Sequence, residues 1–279
     1  MEEKQVKVSV IMGIYNCAST LAKAMDSLLE QTYQNFEIIL CDDGSSDNTY
    51  AIAKQYQEKY PQKIILLKNE QNLRLNATLN KCIKAAHGEY VARMDGDDIS
   101  VPERFEKEVD FLDNHPDYEI VSCNFKFYDE TGFWGQIETK EFPDAAYLAN
   151  VDAPFCHAAA MIRKNAIESV GMYSEGKKYL GVEDVDLWYK MYQKGYKGYN
   201  IQEFLYLVQD DEDAAKRRPF IRRWNLFLVK AEGYKRLGIF YKKFPAIVIF
   251  LFKTLIISIL PFKLLAFLRK RARRNVIQN

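Results

Sequence analysis

The chain has few cysteines, and none of them is spaced as part of a pair. The five cysteines form no C-x-x-C motif and are odd in number: Cys17, Cys41, Cys82, Cys123 and Cys156. This pattern excludes a disulfide framework and a cysteine-ligated zinc site as organising features of the fold. We expect the five to be small buried residues in a reducing compartment.

Neither of the common glycine-rich phosphate loops is present. No G-x-G-x-x-G follows the first predicted strand, which argues against a dinucleotide-dependent dehydrogenase, and the absence of G-x-x-x-x-G-K-[ST] excludes a P-loop. The first residues, MEEKQVKVSV, lack the apolar core of a signal peptide. We therefore expect the first domain to stay in the cytoplasm.

Charge is divided unevenly along the chain. The 279 residues are 48% hydrophobic and carry a net charge of only +1, an ordinary globular composition. From residue 214 to the end, however, seventeen Lys or Arg residues accompany a single acid, Glu232, which gives +16 and leaves −15 on the remainder. We therefore predict two parts with different partners, a globular domain at 1–215 and a basic, apolar extension at 216–279.

Strands alternate with helices in the first hundred residues. Apolar runs predict strands at 6–12, 36–41, 63–69 and 89–94, with helical spacing between them. This alternation predicts an α/β fold with a mostly parallel sheet flanked by helices. The polar segments GIYN, DDGSSD, NEQNLRLN and DGDD follow the four strands in turn, so we expect them to meet at the sheet edge where such folds bind ligands.

Three carboxylates lie within four positions directly after the fourth predicted strand: Asp95, Asp97 and Asp98. Paired carboxylates at a strand end suit a hard divalent cation, Mg²⁺ or Mn²⁺, which takes its other ligands from phosphates and water. The alternative is a solvated acidic turn. The position at the predicted ligand-binding edge favours the metal site.

Five segments, in order and in spacing, resemble a known family. VSVIMGIYN, QTYQNFEIILCDDGSSDNT, LNKCIKAAHGEYVARMDGDD, PERF and GVEDVDLW are similar to segments of the family 2 glycosyltransferases with a GT-A fold, over roughly residues 6–215. The resemblance implies an enzyme that transfers a sugar, with inversion, from a nucleotide diphosphate donor, usually UDP. It also implies a nucleotide-binding half at 1–100 and an acceptor-binding half at 101–215.

The resemblance assigns the nucleotide site to the loops after the first three strands. Gly13 and Tyr15 would line the uracil pocket, and Asp43 would accept the uracil N3 proton, with Asp42 as the second candidate. Arg74 stands where the family usually has glycine. Its side chain would either reach the diphosphate or lie exposed, and the shape of this loop is therefore an open question.

The resemblance also gives the acidic cluster a role. Asp95 would lie beside the ribose and the metal, and Asp97 would be the main ligand of Mn²⁺ or Mg²⁺. The cation would neutralise charge on the leaving diphosphate, which is the electrostatic help that such a leaving group needs.

Asp184, in GVEDVDLW, matches the general base of the family. Helical spacing puts it on one face with Leu187 and Trp188, pointing into the domain. Asp186 instead has Lys190 at i+4, a spacing that predicts a solvated ion pair. The alternative for Asp184 is an acid that merely complements a helix start.

Three further residues are predicted to bind the acceptor. Glu183 precedes the predicted base, and His157, in PFCHAAAMIRK, matches a histidine that is frequent in the family. Trp188 would stack on the acceptor. Structural roles, in packing for Trp188 and in the core for His157, are the alternatives.

The basic extension has two notable segments. RRW, at 222–224, resembles the Q-x-x-R-W of processive polysaccharide synthases, but Phe220 replaces the glutamine, so we predict a single-addition enzyme. Residues 244–268 are long enough to span a membrane as a helix, but Lys253 and Pro261 interrupt them and basic clusters lie on both sides. We therefore expect peripheral, monotopic helices on the cytoplasmic face of the membrane.

The extension has alternative partners to the membrane. It could pack on the globular domain or on a second subunit, and an oligomer is compatible with the sequence. Nucleic acid is not expected as a partner, because the long Ile, Leu and Phe runs need a dry surface.

Together these features predict a metal-dependent, inverting glycosyltransferase. It would move one sugar from a UDP-sugar to a lipid-linked glycan in the synthesis of a bacterial surface polysaccharide. A nucleotidyltransferase, which would not need Asp184, and a non-catalytic nucleotide-sugar-binding protein are the alternatives.

Overall fold

One mixed sheet forms the centre of the molecule. The structure, a computed structural model, describes residues 5–151, 153–210 and 220–259. Within these ranges the sheet has nine strands, and their bounds are β1 Val8–Ile14, β2 Phe36–Asp42, β3 Ile64–Lys68, β4 Tyr90–Arg93, β5 Ile99–Ser100, β6 Ile120–Asp129, β7 Gly132–Ile137, β8 Met161–Arg163 and β9 Gly198–Gln209.

Helices cover the sheet and continue beyond it. The described residues form α1 Leu21–Leu29, α2 Thr49–Lys59, α3 Leu75–Ala85, α4 Arg104–Asn114, α5 Ala145–Leu148, α6 Lys164–Ser169, α7 Glu183–Gln193, α8 Phe220–Arg236 and α9 Phe240–Ile259. All seven residues of β2 are buried because helices pack on both faces, which explains its unbroken apolar sequence.

The strand order explains where ligands can bind. The sheet runs β3-β2-β1-β4-β8-β6-β9-β5, with β7 paired to β6. The first four strands are mutually parallel, as predicted, but β8 runs antiparallel to both β4 and β6. The sheet is therefore mixed rather than mostly parallel, and the parallel half brings the loops after β1 to β4 to one edge. The predicted boundaries at residues 100 and 215 stay predictions.

The extension begins as a helix that packs on the domain. Asn225 of α8 donates hydrogen bonds to two carbonyl oxygens ahead of α7, those of Lys177 and Leu180, at 2.9 and 3.1 Å. Gly233 lies against the ring of Tyr189, where any side chain would clash. The first helix of the extension, α8, therefore packs on the globular domain.

The surface of α9 is different. Four of its large hydrophobic side chains are exposed: Tyr241, Phe244, Ile249 and Phe252. Within residues 5–151, 153–210 and 220–259, no helix is both long enough and apolar enough to span a membrane. Pro261 and the basic cluster at 269–274 lie outside the described residues.

Candidate active site

The loops that follow β1, β2 and β3 enclose a cavity of about 360 Å³, within the usual range for small-molecule sites. The segment leading into α7 closes its other side. Five residues that the sequence singled out line the cavity: Gly13, Tyr15, Asp43, Arg74 and Glu183. Residues from both predicted halves of the domain therefore meet at one site.

Asp43 is a buried carboxylate held by the loop after β3. Its Oδ1 accepts hydrogen bonds from the Asn69 amide (2.9 Å) and the Leu73 N–H (2.8 Å), and its Oδ2 accepts one from the Arg74 N–H at 2.9 Å. Among these bonds Oδ2 has only one donor, so it retains capacity to accept another from a ligand.

Arg74 has a backbone conformation that usually belongs to glycine. Its φ is +76° and its ψ is 161°, a region in which a side chain is strained by about 1–3 kcal/mol. The residue immediately precedes α3, and its N–H points to Asp43. The loop thus keeps the shape that glycine would give, while an arginine side chain lines the cavity.

The other two predicted contacts of the nucleotide differ in exposure. Tyr15 is 49% exposed and offers an open ring on the cavity wall. Asp42 is fully buried, and its Oδ2 accepts a hydrogen bond from the Ser45 N–H at 3.3 Å. Of the two neighbouring acids, Asp43 is therefore the one that lines the cavity.

The acidic cluster lies at the end of β4. One carboxylate oxygen from each of Asp95, Asp97 and Asp98 lies within 4.8 Å of the others. The buried Arg93 side chain binds Asp95 through both ends of its fork, with Nη2–Oδ1 at 2.6 Å and Nη1–Oδ2 at 3.0 Å. Asp98 is buried and accepts the Gln209 N–H at 2.8 Å.

The three carboxylates are not equivalent. Burial, together with the neighbouring charges of Asp95 and Asp97, raises the pKa of Asp98 well above its usual value. Asp95 and Asp97 are half-buried and therefore more accessible than Asp98. A set that supplies only oxygen atoms from closely spaced carboxylates fits a hard divalent cation such as Mg²⁺ or Mn²⁺.

The loop after β1 connects the cluster to the cavity. The Thr20 hydroxyl donates a hydrogen bond to the Gly96 carbonyl oxygen at 2.9 Å. A Cβ on Gly96 would lie 2.9 Å from the Cys17 sulfur, so only glycine allows this close approach. The acidic cluster and the Tyr15 side of the cavity are thus packed together.

Glu183 and Asp184 form the first turn of α7, and both are half-buried. Burial and the adjacent Asp184 raise the pKa of Glu183 to about 7. Burial also raises the pKa of Asp184, against the opposing effect of the positive charges on Arg222 and Arg93. A carboxylate whose pKa is raised towards neutrality suits a general base.

The predicted contrast between Asp184 and Asp186 is wrong in one respect. Asp186 does pair with Lys190, at 3.5 Å, but the pair is buried rather than solvated. Arg236 of α8 adds a second ion pair to Asp186 at 3.1 Å. The i+4 pattern cannot show that α8 covers this face of α7.

His157 and Trp188 lie side by side behind the site. The His157 Nε2 is hydrogen-bonded to the Tyr173 hydroxyl at 2.8 Å. Burial and the charge of Arg93 hold the pKa of His157 well below its usual value, which favours a neutral ring. Trp188 is fully buried and packs edge-on against His157 and Phe155, which fits the packing alternative instead of stacking on an acceptor.

Two residues of the site were missed in the sequence. Arg93 was visible beside the acidic cluster, but nothing local showed that its guanidinium would be buried between that cluster and the acids of α7. Tyr173 belongs to no motif, and its charged neighbours, Arg93, Glu183 and Asp184, come together only in the folded chain. Neither role had a signal at the level of sequence.

The profile of the family described as Glycosyl transferase family 2 matches residues 9–171. The chain belongs to this family. It is therefore a glycosyltransferase, and the nucleotidyltransferase alternative is wrong. The acids of α7 and the helices α8 and α9 lie outside the matched range.

Curated relatives agree with this assignment. The chain is 46% identical over 214 residues to the putative glycosyltransferase EpsE of Bacillus subtilis, covering 77% of each chain. It is 30% identical to the amylovoran biosynthesis glycosyltransferase AmsE of Erwinia amylovora, covering 96% of this chain and 99% of AmsE. It is 28% identical to the Escherichia coli UDP-Glc:alpha-D-GlcNAc-diphosphoundecaprenol beta-1,3-glucosyltransferase WfaP, covering 82% and 87%.

Solved structures support the fold. S. aureus TarS 1-349 in complex with UDP has a TM-score of 0.64 at 20% identity, with 85% of this chain and 71% of TarS 1-349 covered. The mannosyltransferase PcManGT of Pyrobaculum calidifontis, in complex with GDP-Man and Mn²⁺, has a TM-score of 0.65 at 18% identity, with 96% and 83% covered. The predicted GT-A fold is confirmed.

Proposed function

We propose that this enzyme transfers a single sugar, with inversion and with help from a divalent cation, from a UDP-sugar to a lipid-linked glycan. The observation that carries the proposal is the juxtaposition of three parts. A nucleotide-sized cavity lined by Asp43 and Arg74 reaches Glu183 on one side and is packed against the Asp95–Asp98 cluster on the other. A donor site, a cation site and a base thus adjoin each other.

The cavity suits a uridine diphosphate. Tyr15 offers a flat ring for the base, and Gly13 also lines the cavity. Asp43 Oδ2 would accept the uracil N3–H. Arg74 would place a guanidinium on the diphosphate, an interaction that arginine makes through two parallel hydrogen bonds. TarS, a relative in fold, is known in complex with UDP.

Asp97 would hold the cation, and Asp95 would share its oxygens between the cation and Arg93. When bound, a divalent cation neutralises charge on the diphosphate leaving group. PcManGT, a relative in fold, is known in complex with GDP-Man and Mn²⁺. The fork of Arg93 fixes the orientation of Asp95 before the donor arrives, so little reorganisation is needed on binding.

Asp184 would act as the general base. The acceptor hydroxyl oxygen attacks the anomeric carbon, the bond from that carbon to the diphosphate oxygen breaks, and UDP leaves with the electron pair. The hydroxyl proton passes to Asp184. Attack on the face opposite the leaving group inverts the anomeric carbon, and one base on that face is sufficient.

The test is UDP release by the purified full-length chain with Mn²⁺, across a panel of UDP-sugars and with membrane lipid extracts as acceptor source. Wild type is compared with Asp97→Asn, Asp184→Asn and, as control, Asp110→Asn, an exposed acid on α4. We expect turnover of one donor that falls at least 100-fold in the first two variants and is unchanged in the control. UDP binding without turnover of any UDP-sugar would contradict the proposed donor and acceptor, and a fully active Asp184→Asn would contradict the base assignment.

The acceptor and the location rest on α9 and on the relatives. WfaP is named for a diphosphoundecaprenol acceptor, and AmsE for amylovoran biosynthesis. On α9, Phe244 and Phe252 are exposed by 52% and 61%, and basic residues follow in the sequence beyond the described part of the chain. Apolar side chains beside basic residues suit the interface of an anionic membrane. We therefore place the enzyme peripherally on the cytoplasmic face, in surface polysaccharide synthesis.

Vesicle flotation tests this placement. The full chain should float with phosphatidylglycerol-containing vesicles and less with pure phosphatidylcholine. The double variant Phe244→Ser, Phe252→Ser should lose at least tenfold in partitioning. The control Phe133→Ser changes an aromatic residue of β7 that is exposed by 67%, and it should not lose partitioning. Equal binding by all three proteins would contradict a membrane surface on α9.

A further inference from the structure

Arg222, the first arginine of the RRW segment, approaches the active site from α8. The helix is anchored in place by the Asn225 bonds to the chain just ahead of α7 and by the ion pair of Arg236 with Asp186 at 3.1 Å. These contacts, from Asn225 near the start of α8 and from Arg236 at its end, hold the helix against α7. The position of Arg222 is therefore set by packing rather than by a loop.

The Arg222 side chain crosses Gly181 at close range. A Cβ on Gly181 would lie 3.1 Å from Arg222 Cγ, 3.3 Å from Cδ and 3.5 Å from Nε. Gly181 has φ +74°, a conformation that favours glycine, and it lines the candidate nucleotide cavity. Glycine here provides both the turn into α7 and the space for the arginine, two residues ahead of Glu183.

The charge of Arg222 acts on the two acids of α7. Burial raises the pKa of Asp184, and the leading influence that lowers it again is the positive charge of Arg222, ahead of that of Arg93 on β4. Arg222 also lowers the pKa of Glu183, whose own charge lies beside Asp184. The buried Tyr173 hydroxyl also interacts electrostatically with both acids and with Arg93.

We propose that Arg222 is a positioning residue for the general base: from the C-terminal extension, it packs across the Gly181 turn that leads into α7 and directs its positive charge to the acid that takes the acceptor proton. This inference rests on the function proposed above and deepens it. The helix α8 is then part of the active site, beyond the family-matched range of 9–171. Because Arg222 acts on the base, donor binding does not depend on it.

The chain supplies a matched control in the next residue. Arg223 is also a half-buried arginine of α8, about 100° further around the helix. In Arg222→Met, loss of a cation beside a carboxylate raises the carboxylate pKa, so the acid limb of the pH–rate profile for UDP release should move to higher pH. We expect a rate at least tenfold lower at pH 6.5, with unchanged UDP affinity by calorimetry. Arg222→Lys should restore most of the rate, and Arg223→Met should behave as wild type.

A second readout does not depend on turnover. The carboxyl pKa of Asp184, followed by ¹³C NMR in the full-length protein, should rise in Arg222→Met and not in Arg223→Met. Melting curves of all variants establish that they fold, and Arg222→Gln, which also removes the charge, is used if Arg222→Met does not fold.

The outcomes separate this proposal from the function on which it rests. A wild type that turns over no UDP-sugar contradicts the proposed function, while the NMR titration still decides whether Arg222 acts on Asp184. An active wild type with an unshifted acid limb in Arg222→Met overturns the present proposal alone. Loss of UDP affinity in Arg222→Met without a shift of the acid limb would assign the Arg222 guanidinium to the diphosphate instead. A shift of the acid limb in Arg223→Met would also overturn the proposal, because the effect would then not be specific to Arg222.

Discussion

Replacing Arg74 separates a backbone effect from a ligand effect at one position. The residue is held at φ +76° and ψ 161°, where a Cβ is strained by about 1–3 kcal/mol and glycine is not. Glycine also increases the conformational entropy of the unfolded chain, which lowers the stability by about 0.4–1 kcal/mol and offsets part of the relief of strain. Arg74→Gly should therefore be more stable than wild type by roughly 1 kcal/mol, or about 2–4 °C in Tm for a domain of this size.

The matched variant is Arg74→Ala. Alanine keeps the Cβ and therefore the strain, so its stability should stay close to that of wild type. Both variants lose the guanidinium that lines the cavity, and a charge-assisted hydrogen bond to phosphate contributes about 1.5–3 kcal/mol. Both should bind UDP about 10- to 100-fold more weakly in calorimetry.

Thermal and urea denaturation in the absence of ligand provide the stability values. Equal stabilities for the glycine and alanine variants would refute the reasoning about strain. Unchanged UDP affinity in both would refute the ligand role, and the conformation would then serve only to direct the Arg74 N–H to Asp43.

Three further predictions concern buried groups. Arg104→Met should lower the free energy of unfolding, measured in urea, by about 3–5 kcal/mol because it leaves Glu108 buried and unpaired. Adding Glu108→Leu should restore at least half of that loss. A loss below about 1 kcal/mol in Arg104→Met alone would contradict this reasoning. The ring of His157 should stay neutral between pH 7 and pH 6 in ¹⁵N NMR, because its pKa is held well below the usual value, and titration in that range would show that it is not buried. Gly181→Ala should destabilise more than Gly171→Ala, because both have φ near +75° to +80° but only the first has a neighbour within 4 Å; equal losses would contradict the contact.

The nucleotide half could be predicted from sequence because its information is local. Each strand from β1 to β4 is an apolar run, and each is followed by a polar loop. In a parallel sheet such loops must meet at one edge, so Asp43 and the Asp95–Asp98 cluster could be assigned to a common site from their positions alone. Five motifs in order identified the family for the same reason, and its match to residues 9–171 confirmed it.

The second half depended on contacts that no local pattern contains. The antiparallel β8 is only three residues long, too short to show a period. The i+4 spacing of Asp186 and Lys190 predicted the ion pair correctly, but it could not reveal that α8 would cover them. Whether a side chain is buried depends on what packs against it, and Arg236 of α8, which covers Asp186, is some fifty residues away in the chain.

The sequence by itself therefore determined the four parallel strands, the acids at their ends and the family. The tertiary structure decided which of those acids is buried, which is bound by Arg93, and that Arg222 of α8 packs across the turn that leads into α7. The physical reason is range. Periodicity and turn chemistry act over a few residues, whereas the environment that sets the protonation of Asp184 is assembled from β4, α7 and α8, and so exists only once the chain has folded.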